Sequence, residues 1–184
     1  MEKSELRRKM RAIQRALPPE ERKHIDEAIC ALICESDAYR NAESVFAYAG
    51  IGWEIDTTPL LTQVLRDGKR LLLPRIQAGR RMDAVEIRSF CELTRGIYGI
   101  PAPSSELPAA NPETIDLVLV PCVAASRELD RLGQGGGYYD SFLAAFSGVS
   151  FLLARECAVL PVLPLESHDR RCTALVTEKG IFCP

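Results

Sequence analysis

Apolar residues fall at two different periods along this chain, and the switches between them lay out its elements. Leu6, Met10, Ile13 and Leu17 are spaced for one face of a helix. Pro18-Pro19-Glu20-Glu21 ends that helix and opens a second, because proline and acids suit a first turn. Ile25, Ala28, Ile29, Leu32 and Ile33 form the second helix's apolar stripe. Val45 to Ala49 then reads as a short buried strand, and Arg70 to Pro74 as a strand stopped by its proline. Met82 to Arg88 alternates like a half-buried strand, and Asp116 to Pro121 is a fully buried one. Between the first two strands, a helix capped by Asp56 or Thr57 runs to about Arg66 and ends at Gly68. Tyr138 to Phe146 is expected to be helical, Val149 to Ala154 extended, and Cys172 to Thr177 a last strand. Residues 99–115, rich in Pro, Ser and Ala, are expected to form a loop. Strands alternating with helices predict one α/β domain over residues 1–184, with a largely parallel sheet and helices on both faces.

Composition narrows the function classes. The 184 residues are 47% apolar and 26% charged, with a net charge of −2, as in an ordinary globular chain. No apolar run approaches the ~18 residues of a membrane span. No apolar segment follows the basic N-terminus, so a signal peptide is not expected. The seven cysteines contain no C-x-x-C pair. They read as reduced thiols of a cytoplasmic protein, without a disulfide framework or a zinc site. With only His24 and His168, histidine-rich metal chemistry is excluded as well.

Two patterns carry candidate chemistry. Lys3, Arg7, Arg11 and Arg15 recur every four residues, so they form one row beside the apolar stripe of the first helix. Most such rows are solvated faces. Yet like charges at this spacing repel, and a bound polyphosphate would relieve that cost. Nucleic acid fits poorly, because the net charge is negative and no aromatics interleave with the row. The second pattern is Arg131-Leu132-Gly133-Gln134-Gly135-Gly136-Gly137-Tyr138-Tyr139-Asp140. It matches neither G-x-x-x-x-G-K-[ST] nor G-x-G-x-x-G, where Tyr138 takes the third glycine's place. Four glycines still let backbone amides approach an anion, and the helix beginning at Tyr138 points its dipole the same way. Arg131 adds a cation, and Asp140 a hard oxygen suited to Mg²⁺. A glycine-rich turn held by aromatic packing accounts for the same residues equally well.

RLGQGGGYYD closely resembles the RLGxGxGYYD signature of the 5-formyltetrahydrofolate cyclo-ligases, or methenyltetrahydrofolate synthetases. Lys3-x-x-Leu6-Arg7 is similar to the family's opening K-x-x-L-R, and Pro19-Glu20-Glu21-Arg22 follows it. Glu54-Ile55-Asp56-Thr57 looks like E-x-x-T, and Gly68-Lys69 to Leu73-Pro74-Arg75 like G-K…L-P-R. Gly99-Ile100-Pro101-x-Pro103 is similar to G-I-x-E-P, and Leu163-Pro164 to His168-Asp169 to the closing L-P…H-D. Each fragment is short, but their order and spacing together are specific.

The resemblance implies a three-layer α/β/α sandwich with a mainly parallel sheet, Rossmann-like and akin to CoA-transferase-like folds. It implies an ATP- and Mg²⁺-dependent ligase that converts 5-formyltetrahydrofolate into 5,10-methenyltetrahydrofolate, ADP and phosphate. Its partners would be reduced folate and ATP, with no nucleic acid or membrane, in a monomer or weak homodimer. Carried over by residue, Lys3, Ser4, Glu5, Leu6 and Arg7 would bind ATP together with Arg131, Leu132, Gly133, Gln134, Gly135, Gly136, Gly137, Tyr138 and Tyr139. Arg131 and Tyr139 would be catalytic, and Asp140 and Asp169 would hold Mg²⁺. Ala49 and Glu54 would bind the folate. By residue type alone, Glu54, Asp140 and Asp169 also read as a strand-end carboxylate, a helix-start acid and a turn residue.

Several positions depart from the family pattern. Ala124-Ala125-Ser126 and Leu129 replace an aromatic, an aspartate and a glycine. Ala102 stands for a glutamate, and Ala154-Arg155-Glu156-Cys157-Ala158 lacks the aromatic and the glutamine of A-F-x-x-Q. These losses are expected to fall on the folate side. They leave open a divergent homologue that binds ATP or folate without this turnover, or that activates another formyl- or amide-like acceptor.

Overall fold

The continuous apolar runs form the middle of a seven-stranded sheet. Its spatial order is β11 (Gly180–Phe182), β10 (Ala174–Thr177), β9 (Val149–Leu153), β6 (Leu117–Pro121), β1 (Ser44–Phe46), β2 (Arg70–Ile76) and β3 (Met82–Ile87). The five inner strands are parallel, whereas β3 and β11 pair antiparallel at the two edges. The computed structural model describes every residue except Met1, Ala78, Arg80, Ile97, Tyr98 and Pro184.

Helices cover both faces, as the alternation of elements requires. On one face α2 (Pro19–Glu35) and α4 (Thr58–Arg66) set Ile29, Ile33, Leu60 and Val64 against Val45, Leu71 and Leu119. On the other, Phe142 and Leu143 of α5 (Tyr138–Ala144) pack on Phe46, Val118 and Leu152. Each such fully buried side chain contributes about 1.5–3 kcal/mol by leaving water. A third, smaller cluster lies outside this sandwich. There Leu6 and Met10 of α1 (Lys3–Ala16) meet Val123, Leu132, Ala158 and Leu163. The apolar stripe of α1 thus anchors it to the loops that follow the strands.

The structure revises several expected boundaries. β1 ends at Phe46, so Tyr48 and Ala49 leave the sheet. β2 does not stop at Pro74 but continues to Ile76. Leu72 accepts the Ala47 amide at 2.9 Å. Pro74, two residues on, therefore turns its nitrogen to the same side, past the end of β1, where no ladder bond is required. Thr57 occupies the N-cap of α4, but its hydroxyl serves Tyr48 O and the Gly50 amide, while Asp56 Oδ1 takes the Thr58 amide at 3.0 Å.

Three short pieces carried too few residues for a periodic signal. The expected loop over 99–115 contains β5 (Pro101–Pro103), paired with β4 (Leu93–Arg95). β7 (Ala124–Ala125) and β8 (Arg131–Leu132) form a second ribbon, and α3 (Asp37–Asn41) a single extra turn. Leu129, in the turn between β7 and β8, has φ 65°, the sole positive value at a non-glycine among the described residues. That conformation costs about 1–2 kcal/mol. Ser126 and Asp130 brace the turn, with Asp130 N to Ser126 Oγ at 3.2 Å and Arg171 Nε to Asp130 Oδ1 at 2.6 Å.

All seven cysteines are free thiols. Burial pushes Cys30 and Cys122 up to about 12 and Cys172 up to about 11. No helix among the described residues is long and apolar enough to cross a membrane.

Candidate functional site

A cleft of about 1360 Å³ opens where the parallel strands end at their C-terminal side, the usual ligand position in open α/β sheets. Ala49 and Tyr48 enter it after β1, Pro121 at the end of β6, and Leu73 to Gln77 from β2. The β7–β8 ribbon delivers the glycine stretch, and all ten residues from Arg131 to Asp140 line the cleft. Gly135 has φ 103°, and a Cβ there would lie 3.5 Å from Arg7 Cζ. At Gly133 a Cβ would lie only 2.5 Å from Arg131 Nη1. A side chain at Gly133 would therefore have to displace the Arg131 guanidinium, whereas at Gly135 the positive φ, not the space, calls for glycine.

The basic row of α1 meets this stretch. Lys3 Nζ donates to Asp169 at 2.7 Å and lies 3.3 Å from Glu166. Arg7 Nε donates to Gly133 O at 2.8 Å. Arg11 donates to Gln134 Oε1 and stacks over Trp53 at 5.9 Å, while Arg15 is exposed. Ser4 lines the cleft with Lys3 and Arg7, whereas Leu6 sits in the third cluster and exposed Glu5 lies outside the lining. Arg131 donates from Nη2 to Asp140 Oδ1 at 2.6 Å, and its enclosed Nε has no partner. Asp140 Oδ1 also takes the Arg170 amide at 3.3 Å.

Beside the glycine stretch stand Glu54, Tyr48 and Tyr139. Glu54 is half-buried, with Oε2 accepting the Ile51 amide at 3.1 Å and Oε1 accepting Gln134 Nε2 at 3.0 Å. The Tyr139 hydroxyl is enclosed without a hydrogen-bond partner among the described residues. Burial, and then the nearby Glu54 charge, push Tyr139 and Tyr48 well above the ordinary phenol range, so both are donors at any physiological pH. Apolar walls come from Pro74, Ile76, Met82, Ile100 and Pro103.

The oxygens that could hold a cation lie on the Lys3 side. Glu166, His168 and Asp169 place ligand atoms within 4.8 Å of one another. Among the described residues, the second oxygen of Asp140 and that of Asp169 accept no hydrogen bond. Partial burial acts to raise the Asp169 carboxyl, but the bond from Lys3 and the Glu166 amide outweigh it and hold the group below its ordinary value. Partly open and carrying two carboxylates, the group of Glu166, His168 and Asp169 offers oxygens of the kind a hard divalent ion such as Mg²⁺ takes, while Asp140 stands outside that group, paired with Arg131.

The departures from the family pattern mostly lie behind this cleft, contrary to expectation. Ala102 alone among them lines it. Ala125 and Leu129 are enclosed beneath it in the second cluster and Ala158 in the third, while Ser126 braces the turn. Arg155 is fully enclosed and is no part of the lining.

Comparison with known proteins decides what these residues have in common. A model of the 5-formyltetrahydrofolate cyclo-ligase family matches residues 1–178. The chain belongs to the 5-formyltetrahydrofolate cyclo-ligase family. It is 31% identical over 188 residues to the 5-formyltetrahydrofolate cyclo-ligase of Mycolicibacterium smegmatis, covering 96% of this chain and 94% of that one. The Escherichia coli cyclo-ligase is 27% identical over 180 residues, covering 94% and 98%. The NMR structure of Aquifex aeolicus 5,10-methenyltetrahydrofolate synthetase superposes with a TM-score of 0.89 at 34% identity, over all of this chain and 93% of that one.

Within this cyclo-ligase family frame, every candidate residue from Lys3 to Asp169 falls inside the matched span. The structure gathers all of them at one cleft except Glu5 and Leu6. Sequence reasoning gave no role to Tyr48, Arg75, Glu166 or His168, which also line it. Arg75 and His168 stood inside quoted motifs, and that placement was their available signal.

Proposed function

We propose that this chain uses ATP to close 5-formyltetrahydrofolate to 5,10-methenyltetrahydrofolate, releasing ADP and phosphate. The observation that carries this reading is the make-up of the cleft. Its glycine stretch is set among Lys3, Arg7 and Arg131, and Glu54, bonded to Gln134 of that stretch, joins it with two protonated tyrosines. Membership of the family, and relatives that bear the name of this reaction, support it.

The triphosphate is assigned to the cationic part, with the backbone of residues 133–137 beside it. Lys3 and Arg131 are already held by Asp169 and Asp140, so neither cation must be found or ordered when the ligand arrives. Asp140 and Asp169 would hold Mg²⁺, which supplies charge neutralisation on phosphate oxygens. Glu54 and the tyrosines would hold the pterin and formyl end between the apolar walls. The formyl oxygen then takes the γ-phosphoryl group as ADP leaves. N10 attacks the activated carbon and gives up its proton, and hydrogen phosphate departs with the former formyl oxygen and that proton. Phosphoryl transfer needs positioning and charge neutralisation more than covalent help. Arg131, with an unpaired Nε, is assigned to the developing phosphate charge, and the unpartnered Tyr139 hydroxyl donates to a substrate oxygen. Because the departing positions lie mostly outside the cleft lining, they do not favour a purely binding homologue.

The test mixes purified protein with 5-formyltetrahydrofolate, ATP and Mg²⁺ and follows the absorbance of the conjugated methenyl product. Product should form in step with ADP. Its absence at high enzyme concentration overturns the assignment.

A further inference from the structure

The bulkiest of the fully enclosed side chains is a charged one. Arg155 is 0% exposed, just beyond the end of β9. All five of its N–H groups are engaged. Nε donates to Asp26 Oδ1 at 2.7 Å and Nη2 to Asp26 Oδ2 at 2.8 Å, the forked pairing of a guanidinium with a carboxylate. Nη2 also donates to Glu54 O at 2.9 Å, and Nη1 to Trp53 O at 2.8 Å and Gln14 Oε1 at 3.1 Å. Asp26 Oδ2 in turn takes the Asp56 amide at 2.9 Å. Two carbonyls and one amide of residues 53–56 are thus gripped by a single ion pair. That segment carries Glu54 into the cleft.

A buried ion pair is weak evidence of stability, because desolvation offsets much of its attraction. What this pair does is fix a backbone that no strand or helix holds. Its reach extends further, since Gln14 Nε2 donates to Val123 O at 3.0 Å, at the base of the ribbon that bears the glycine stretch. We infer that Arg155, together with Asp26, is a positioning residue that sets the backbone of Trp53 and Glu54 and so places the Glu54 carboxylate in the cleft. The inference about the loop stands on geometry alone. Its catalytic consequence rests on the assignment of Glu54 to the folate end.

The protein contains one tryptophan, Trp53, within the gripped segment, so its fluorescence reports the loop without any turnover. Two variants are compared with the native chain: the isosteric Asp26→Asn, and the double variant Arg155→Met with Asp26→Leu, which exchanges the ion pair for apolar groups. Circular dichroism checks that each folds. Acrylamide should quench Trp53 more readily in both. The kcat/KM for 5-formyltetrahydrofolate should fall by about 10²-fold in the double variant, as a displacement near 1 Å produces, with the KM for ATP unchanged. Native quenching and native folate kinetics in a folded double variant would overturn the inference. So would equal losses on the ATP and folate sides, or failure of both variants to fold, since either makes the pair a general core element. If the native chain forms no methenyl product, the assignment of function fails while the quenching comparison still decides the role of Arg155.

Discussion

Two parts of the cleft are held in opposite ways. At the glycine stretch, the fixed elements are cations paired with partly open carboxylates: Lys3 with Asp169, and Arg131 with Asp140. On the proposed assignment, these pairs would exchange partners when phosphates and a divalent ion bring their own charges. At Glu54 the fixed element is backbone, gripped by the buried Arg155 and Asp26 with every Arg155 donor satisfied. Exchange there would strand a buried charge, which costs several kcal/mol. One part exposes its ion pairs and the other encloses its own. On the proposed assignment, a reaction that must align two substrates would gain from that division, because the enclosed part would supply the reference against which the phosphates are placed.

Substitutions can break this contrast in either part. The largest effect is expected from Arg131→Ala, which should abolish turnover, a loss of at least ~10²–10³ in kcat, while circular dichroism remains native. A fully active variant would refute its role in charge neutralisation. Lys3→Ala should be milder, raising the KM for ATP about tenfold, as loss of one charged hydrogen bond does, without changing the KM for folate. Unchanged nucleotide kinetics would make the basic row of α1 a solvated face. The smallest effect comes from acid. Asp169 is held below its ordinary value by Lys3 and the Glu166 amide against partial burial. The Tyr39 hydrogen bond lowers Asp67, and that of Ser44 lowers Asp116. A carboxyl lowered on folding stabilises the protein above its unfolded value and loses that contribution as pH falls through the folded one. Urea midpoints should therefore hold from neutrality to about pH 5 and decline only below the ordinary carboxylate range near 4. A decline beginning near pH 6 would mean that these three pairs do not govern acid stability.

Most of the sheet was legible in the sequence because its inner strands are buried on both faces. Leu117 to Val120 and Leu71 to Leu73 are apolar without interruption, and such runs read the same from either side. The turn of α2 at Pro19 and the end of α4 at Gly68 were legible through backbone chemistry. The ribbons β4–β5 and β7–β8 were not, since pairs of two or three residues show no period. Pro74 misled for the opposite reason: its meaning depends on where a neighbouring strand ends, which lies outside its own segment. At the site, the glycine stretch and the basic row were visible as patterns, but their meeting across the third cluster was not. Arg155 looked like a lost aromatic in a pocket. Nothing in the local sequence links it to Asp26, 129 positions away.

The overhang of β2 past Phe46 has a mechanical meaning. For its last residues the strand has β3 as its ladder partner and none on the β1 side, so one wall of the cleft is a cantilever rather than part of a slab. Its free end is propped by Arg75, whose Nη1 reaches Ser104 O and Leu107 O at 2.7 Å while Nη2 meets Asp83 at 3.3 Å. Arg75 thus ties that wall, beyond its ladder to β3, to the turn over residues 104–107, and a shorter side chain at position 75 would release it from that turn.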